Sequence, residues 1–144
     1  MIRRRLLLIG AALGIGLVIM LAENVAADIV VVGRTPFTNG RLGFIDAPDG
    51  VLFHFAIAAL PMLALALIGS SRRWLWAVAI GMTALFATFA VWQLRQDYLA
   101  DFAGGANIGL GIIMMASPWI TLIMMGVMAL LARIIGARSG PGAA

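Results

Sequence analysis

Four long apolar stretches dominate the chain, at about residues 6–22, 51–69, 74–92 and 106–135. A helix needs about 20 apolar residues to cross a hydrocarbon core of about 30 Å. All four stretches meet that requirement, the first barely. Lipid offers no hydrogen-bond partners, so a spanning segment must satisfy its backbone internally, as a helix or in a closed barrel. Apolar runs of this length read as helices. The expectation is an all-α membrane protein: a four-helix transmembrane bundle occupying residues 1–144 as a single domain. Composition agrees, with 63% hydrophobic and 11% charged residues, against roughly 25% charged in soluble domains.

The charges give an orientation. Arg3, Arg4, Arg5, Arg72, Arg73, Arg133 and Arg138 flank one set of helix ends without an acidic neighbour. Arg34, Arg41 and Arg95 share the opposite ends with Glu23, Asp28, Asp46, Asp49, Asp97 and Asp101. The two sides carry +7 and −3, which together give the formal +4. Cytoplasmic loops are enriched in Lys and Arg. Both termini are therefore expected in the cytoplasm, and the chain in a bacterial inner membrane as a multi-pass protein. The basic excess suits anionic headgroups better than nucleic acid. A cleaved signal peptide is a rival for the first stretch. Arg3–Arg5 would be its basic region and Val25-Ala26-Ala27 its cleavage site.

The loop at residues 24–50 is expected to form a small outer cap. Ile29-Val30-Val31-Val32 has β character, and Thr38-Asn39-Gly40-Arg41 resembles a hairpin turn. The short Ser71-Arg72-Arg73 connection makes the second and third helices antiparallel neighbours. Pro61 and Pro118 each remove a backbone donor mid-span and should face protein, with Ser/Thr hydroxyls or neighbouring helices satisfying the freed carbonyls. Gly10 with Gly14, and Gly105 with Gly109, are spaced to let helices approach closely, within the bundle or between copies. Met114, Met115, Met124, Met125 and Met128 read as packing.

No cysteine and no lysine are present, which excludes thiolate and Schiff-base chemistry. One histidine and an oxygen-rich set are weak for a metal, and no cofactor is expected. Ser70, Ser71, Ser117 and Ser139 are read on or toward the cytoplasmic half, away from His54, so nothing points to nucleophilic catalysis. The polar residues of interest gather near the outer face. Asp49 reads as the N-cap of the second helix, with His54 about 7 Å further in. Gln93 and Gln96 share a face where the third helix ends. Asp101 and Asn107 lead into the fourth. A bland account makes these a cap and a set of interfacial contacts. The sharper one makes them a site, since ionisable groups at membrane depth are often functional.

The stretch from Asp49 to His54-Phe55, then an apolar helix, an arginine turn and a helix ending in Gln93-x-x-Gln96, resembles the VanZ-like membrane proteins. In that family an Asp-Lys-x-x-His-Phe start, a Glu-x-x-Gln end and an Asp-x-x-x-Asn-x-x-Gly stretch recur. Here Asp49 is five residues before His54, Gly50 replaces the lysine and Gln93 the acid, and Asp101 stands six before Asn107. The resemblance implies an envelope protein binding a lipid-linked or headgroup ligand at the outer face. The alternative is a non-catalytic accessory subunit packed against a larger respiratory or photosynthetic complex, or a homo-oligomer. A proton pathway has least support, because every acid is read at an outer helix end.

Overall fold

The computed structural model describes residues 2–33, 35, 48–100 and 108–138. Four helices account for nearly all of them: α1 (Ile2–Ala27), α2 (Pro48–Leu67), α3 (Arg73–Leu99) and α4 (Ile108–Arg138). Each is long and apolar enough to cross a membrane. The chain is thus an all-α bundle of four membrane-spanning helices.

α1 departs most from expectation. It does not stop at Ala22 but runs to Ala27 and on into a π-helical turn, Asp28–Val32. The β-branched run at residues 29–32 is therefore helical, because Ala27 and Val31 find a packing surface on α3 at Val91. Local β-propensity yields to that burial. The continuous segment has 31 residues, about 46 Å of axis, so α1 reaches past a 30 Å hydrocarbon layer or tilts within it. The proposed turn at residues 38–41 lies outside the described residues.

α2 ends in a Schellman arrangement: Ser70 N–H donates to Leu65 C=O (2.9 Å) and Gly69 N–H to Ala66 C=O (3.0 Å). The motif needs a left-handed residue at its pivot, and Gly69, at φ +69°, supplies it. Trp76 Nε1 donates to Ser70 C=O at 2.9 Å and ties the connection to α3.

Arg5 lies beside Gly69, Gly16 against Ala59, and Glu23 against His54. Each step up α1 is a step back along α2, so the two are antiparallel. One buried cluster joins Ala12, Met62, Leu65, Ala66, Leu75, Ala79 and Met125 at the arginine-bearing end of all four helices. Ala90, Leu110 and Met114 form another toward the opposite end. The topology is up-down-up-down, and all seven unpaired-sign arginines fall at one end. α1 packs on α2 and α3, α4 packs on α2 and α3, and α2 touches α3, as the short connection predicts. Among the described residues no Cα of α1 lies within 8 Å of one of α4, so the cross-section is a rhombus with α2 and α3 on its short diagonal.

Small residues make these contacts, as they must where lipid offers no hydrophobic drive. Gly16 is the tightest: a Cβ there would lie 2.7 Å from the Ala59 Cβ and 2.8 Å from its Cα. Gly10 and Gly14 do not pack inside the bundle. Both are exposed, and a Cβ on either would meet nothing within 4 Å. They lie on the other face of α1 from the buried Ala12, Gly16 and Met20. Gly109 is likewise exposed, and Gly105 lies outside the described residues. Of the α4 methionines, Met114 and Met125 are buried, while Met115, Met124 and Met128 face outward.

Pro61 and Pro118 are both buried against protein. Pro118 leaves the Met114 carbonyl without its helical donor, and Ser117 Oγ donates to that same oxygen at 2.8 Å.

Candidate functional site

The polar interior begins on α1. Continuing the buried stripe Ala12, Gly16, Met20 by three or four residues reaches Glu23, then Ala27 and Val31. Glu23 therefore occupies a core position of its helix, and it is buried, as are Asn24 and Asp28 beside it. Glu23 lies 18 residues beyond Arg5, about 27 Å along the axis. With Arg5 at one hydrocarbon boundary, Glu23 sits just inside the other.

His54 faces it from α2. Its Nδ1 lies 3.5 Å from Glu23 Oε1, and its ring meets Phe53 edge-on at 5.9 Å between centroids. Both line a cavity of about 10 Å³ at the centre of the four helices, together with Thr83, Met114 and Ser117. That volume is near the lower limit for one water molecule. The hydroxyls around it donate within their own helices: Thr83 to Ala79 C=O (2.8 Å) and Ser117 to Met114 C=O (2.8 Å). Their oxygens keep lone pairs for the interior, and burial in lipid without a partner would be unfavourable.

Ser117 was expected on the cytoplasmic half, yet it shares the His54 cavity. A serine, a histidine and a carboxylate at one place invite comparison with a hydrolytic triad. The geometry does not make one: the Ser117 hydroxyl is directed to the carbonyl that Pro118 frees, and not to the imidazole. Glu23 and Asp28 lie toward the outer end of α1, as expected of the acids, but there they are buried within the bundle.

The other sequence candidates do not gather around His54. Asp49 is exposed in the first turn of α2. It is not the N-cap, because Pro48, well suited to a first helical position, already begins the helix; Asp49 instead favours the positive end of the helix dipole. Gln93 Nε2 donates to Asp97 Oδ1 at 3.1 Å, one turn along α3. Gln96 is exposed, and its carbonyl accepts from Ala100 N–H at 2.9 Å. Gln93 and Gln96 are thus a half-buried and an exposed residue of α3 without a shared partner. Asp101 and Asn107 lie outside the described residues.

Glu23 has a second side. Between α1 and α3 an apolar groove of about 470 Å³ opens toward the lipid, lined by Ala22, Ala26, Ala84 and Trp92, with Glu23 and Arg95 as its charged members. The size falls in the range of small-molecule sites. Its smoothness follows from the alanines, which leave room where larger residues would interlock. The buried Glu23 carboxylate thus approaches the imidazole in the interior and also lines the groove between α1 and α3. No family model, curated protein or solved structure matches the chain.

Proposed function

We propose that this protein is a multi-pass protein of the bacterial inner membrane, with both termini cytoplasmic, that binds an amphiphilic ligand at the outer end of the α1/α3 groove. The observation carrying this reading is Glu23, buried against His54 on one side and lining the groove with Arg95 on the other. An apolar tail suits the alanine floor and Trp92. A head bearing a phosphate and a hydrogen-bond donor suits Arg95 and Glu23 respectively. The orientation rests on the arginine-only end facing the cytoplasm.

In kind, this is the ligand that membership of the VanZ-like family would imply. That membership is part of the proposal and draws support from His54, which engages a carboxylate; the exposed Gln96 adds nothing to it. A role as an accessory subunit is the second reading. It is favoured by the end of α4, where from residue 126 to 135 only Ala129 is even half-buried, leaving a long apolar face.

The test is native mass spectrometry of the full chain purified in mild detergent. The wild type should retain an amphiphile. Ala22→Trp, at an exposed groove position, should lose it without a fall in melting temperature, and Glu23→Gln should weaken retention. A wild type without ligand, or Ala22→Trp retaining it unchanged, would overturn the reading. A stoichiometric larger partner in its place would establish the accessory role.

A further inference from the structure

The α1/α3 face carries a second groove at its arginine-bearing end. It is about 500 Å³, separated from the outer one by the Ile15 and Ile19 level of α1, and its walls are Leu8, Ala11, Ile15, Ala77 and Ile80. Its mouth is different in kind. Arg73 and Ser71 stand there with Trp76, whose indole N–H is already engaged by Ser70 C=O. On the other side of Leu8 a smaller cavity of about 160 Å³ is lined by Arg4, Arg5 and Gly69. A Cβ on Gly69 would lie 3.7 Å from Arg5 Nε, so the guanidinium rests over the turn that ends α2.

Three observations converge. Apolar walls run along α1 from Leu8 to Ile15 and along α3 to Ile80, about 10 Å of helix axis. Arginines from two helices flank the same leucine at headgroup level. No acid lies at this end of the described helices to neutralise them. Guanidinium groups bind phosphate through paired N–H donors, and basic pockets between helices on the cytoplasmic side take anionic headgroups. An interfacial tryptophan held by its own N–H presents its ring to the chain below.

We infer that this groove is a binding site for one anionic phospholipid of the leaflet at the arginine-bearing end: its phosphate held by Arg73 at the mouth, with Arg5 beyond Leu8 adding to the positive field, and one acyl chain lying between Leu8, Ala11 and Ala77. The site is separate from the outer groove and does not depend on what that groove binds.

The experiment titrates phosphatidylglycerol, with phosphatidylcholine as the neutral comparison, into the delipidated full chain. Retained lipid is counted by native mass spectrometry and stability is followed by melting temperature. Phosphatidylglycerol should bind and stabilise, and phosphatidylcholine should do so far less. Arg5→Gln with Arg73→Gln should weaken phosphatidylglycerol roughly 30-fold, the equivalent of about 2 kcal/mol for two interfacial arginines. Ala77→Trp keeps every arginine and fills an exposed groove position; it too should lose the tight lipid while melting normally without lipid. Equal binding of both lipids would overturn the inference. So would wild-type affinity in Ala77→Trp, which would leave only a diffuse charge effect, or equal stabilisation by inorganic phosphate, which would leave an anion site without a lipid chain. Loss of the outer ligand through Ala22→Trp leaves these outcomes unchanged, so the two sites fail or stand separately.

Discussion

Gly16 and Gly14 are two residues apart and have opposite consequences. The spacing of Gly10 and Gly14 is visible in the sequence, but it does not say which face meets a neighbour. The neighbour decides it, and Ala59 stands over Gly16. Gly16→Ala must push α2 away from α1, and overpacking of this kind costs about 1–3 kcal/mol. Gly14→Ala meets open space and should be neutral or stabilising by up to about 1 kcal/mol through helix propensity. Thermal unfolding of both variants in detergent checks the order; equal effects would contradict the Gly16 contact. His54 was legible as an ionisable residue at membrane depth, whereas its partner was not, because a hydropathy window ends at the first charge. The signal was present all the same: Glu23 continues the Ala12, Gly16, Met20 stripe at helical spacing. A double-mutant cycle of Glu23→Gln and His54→Ala should give an interaction energy between about 0.5 and 3 kcal/mol. Additive losses would mean that the 3.5 Å approach contributes nothing.

Among the helices, α4 shows how a proline is accommodated in lipid. The need for a hydroxyl near Pro118 could be read from the sequence, and its identity as Ser117 is a matter of local geometry. Ser117→Ala should destabilise by about 1 kcal/mol, the usual net worth of a hydrogen bond. In a Pro118→Ala background the Met114 carbonyl regains a backbone donor, and the same serine change should then cost clearly less. Unfolding midpoints of the two single variants and the double variant test this, and an undiminished serine effect would argue against the proposed repair. Helix ends were less legible than helix middles. α1 gained its outer turns and α3 its last seven residues, 93–99, because tertiary contacts and intrahelical pairs such as Gln93 with Asp97 hold polar residues in a helix that hydropathy alone would end.

For the whole molecule, four spans and their up-down order followed from apolar length and the arginine distribution. The grooves did not, since they arise from where α1 and α3 fail to interlock. The orientation makes a direct prediction. Reporters fused after Arg138 or within residues 71–73 should report cytoplasm, and those at Asn39 or Ala100 the opposite side. A periplasmic signal from the C-terminal fusion would mean either an inverted bundle or an odd number of crossings, and either would overturn this reading.

The rhombic cross-section bears on how the chain enters the bilayer. α1 and α2 form the most extensive helix pair, and the Glu23–His54 approach lies wholly between them. The first hairpin to leave the ribosome therefore carries both of these costly side chains and the means of sheltering each with the other. Among the described residues no Cα of α4 lies within 8 Å of α1, so bringing Glu23 and His54 together does not require α4 to be in place. Biogenesis can proceed in sequence order without stranding a bare carboxylate in lipid while it waits for a distant helix.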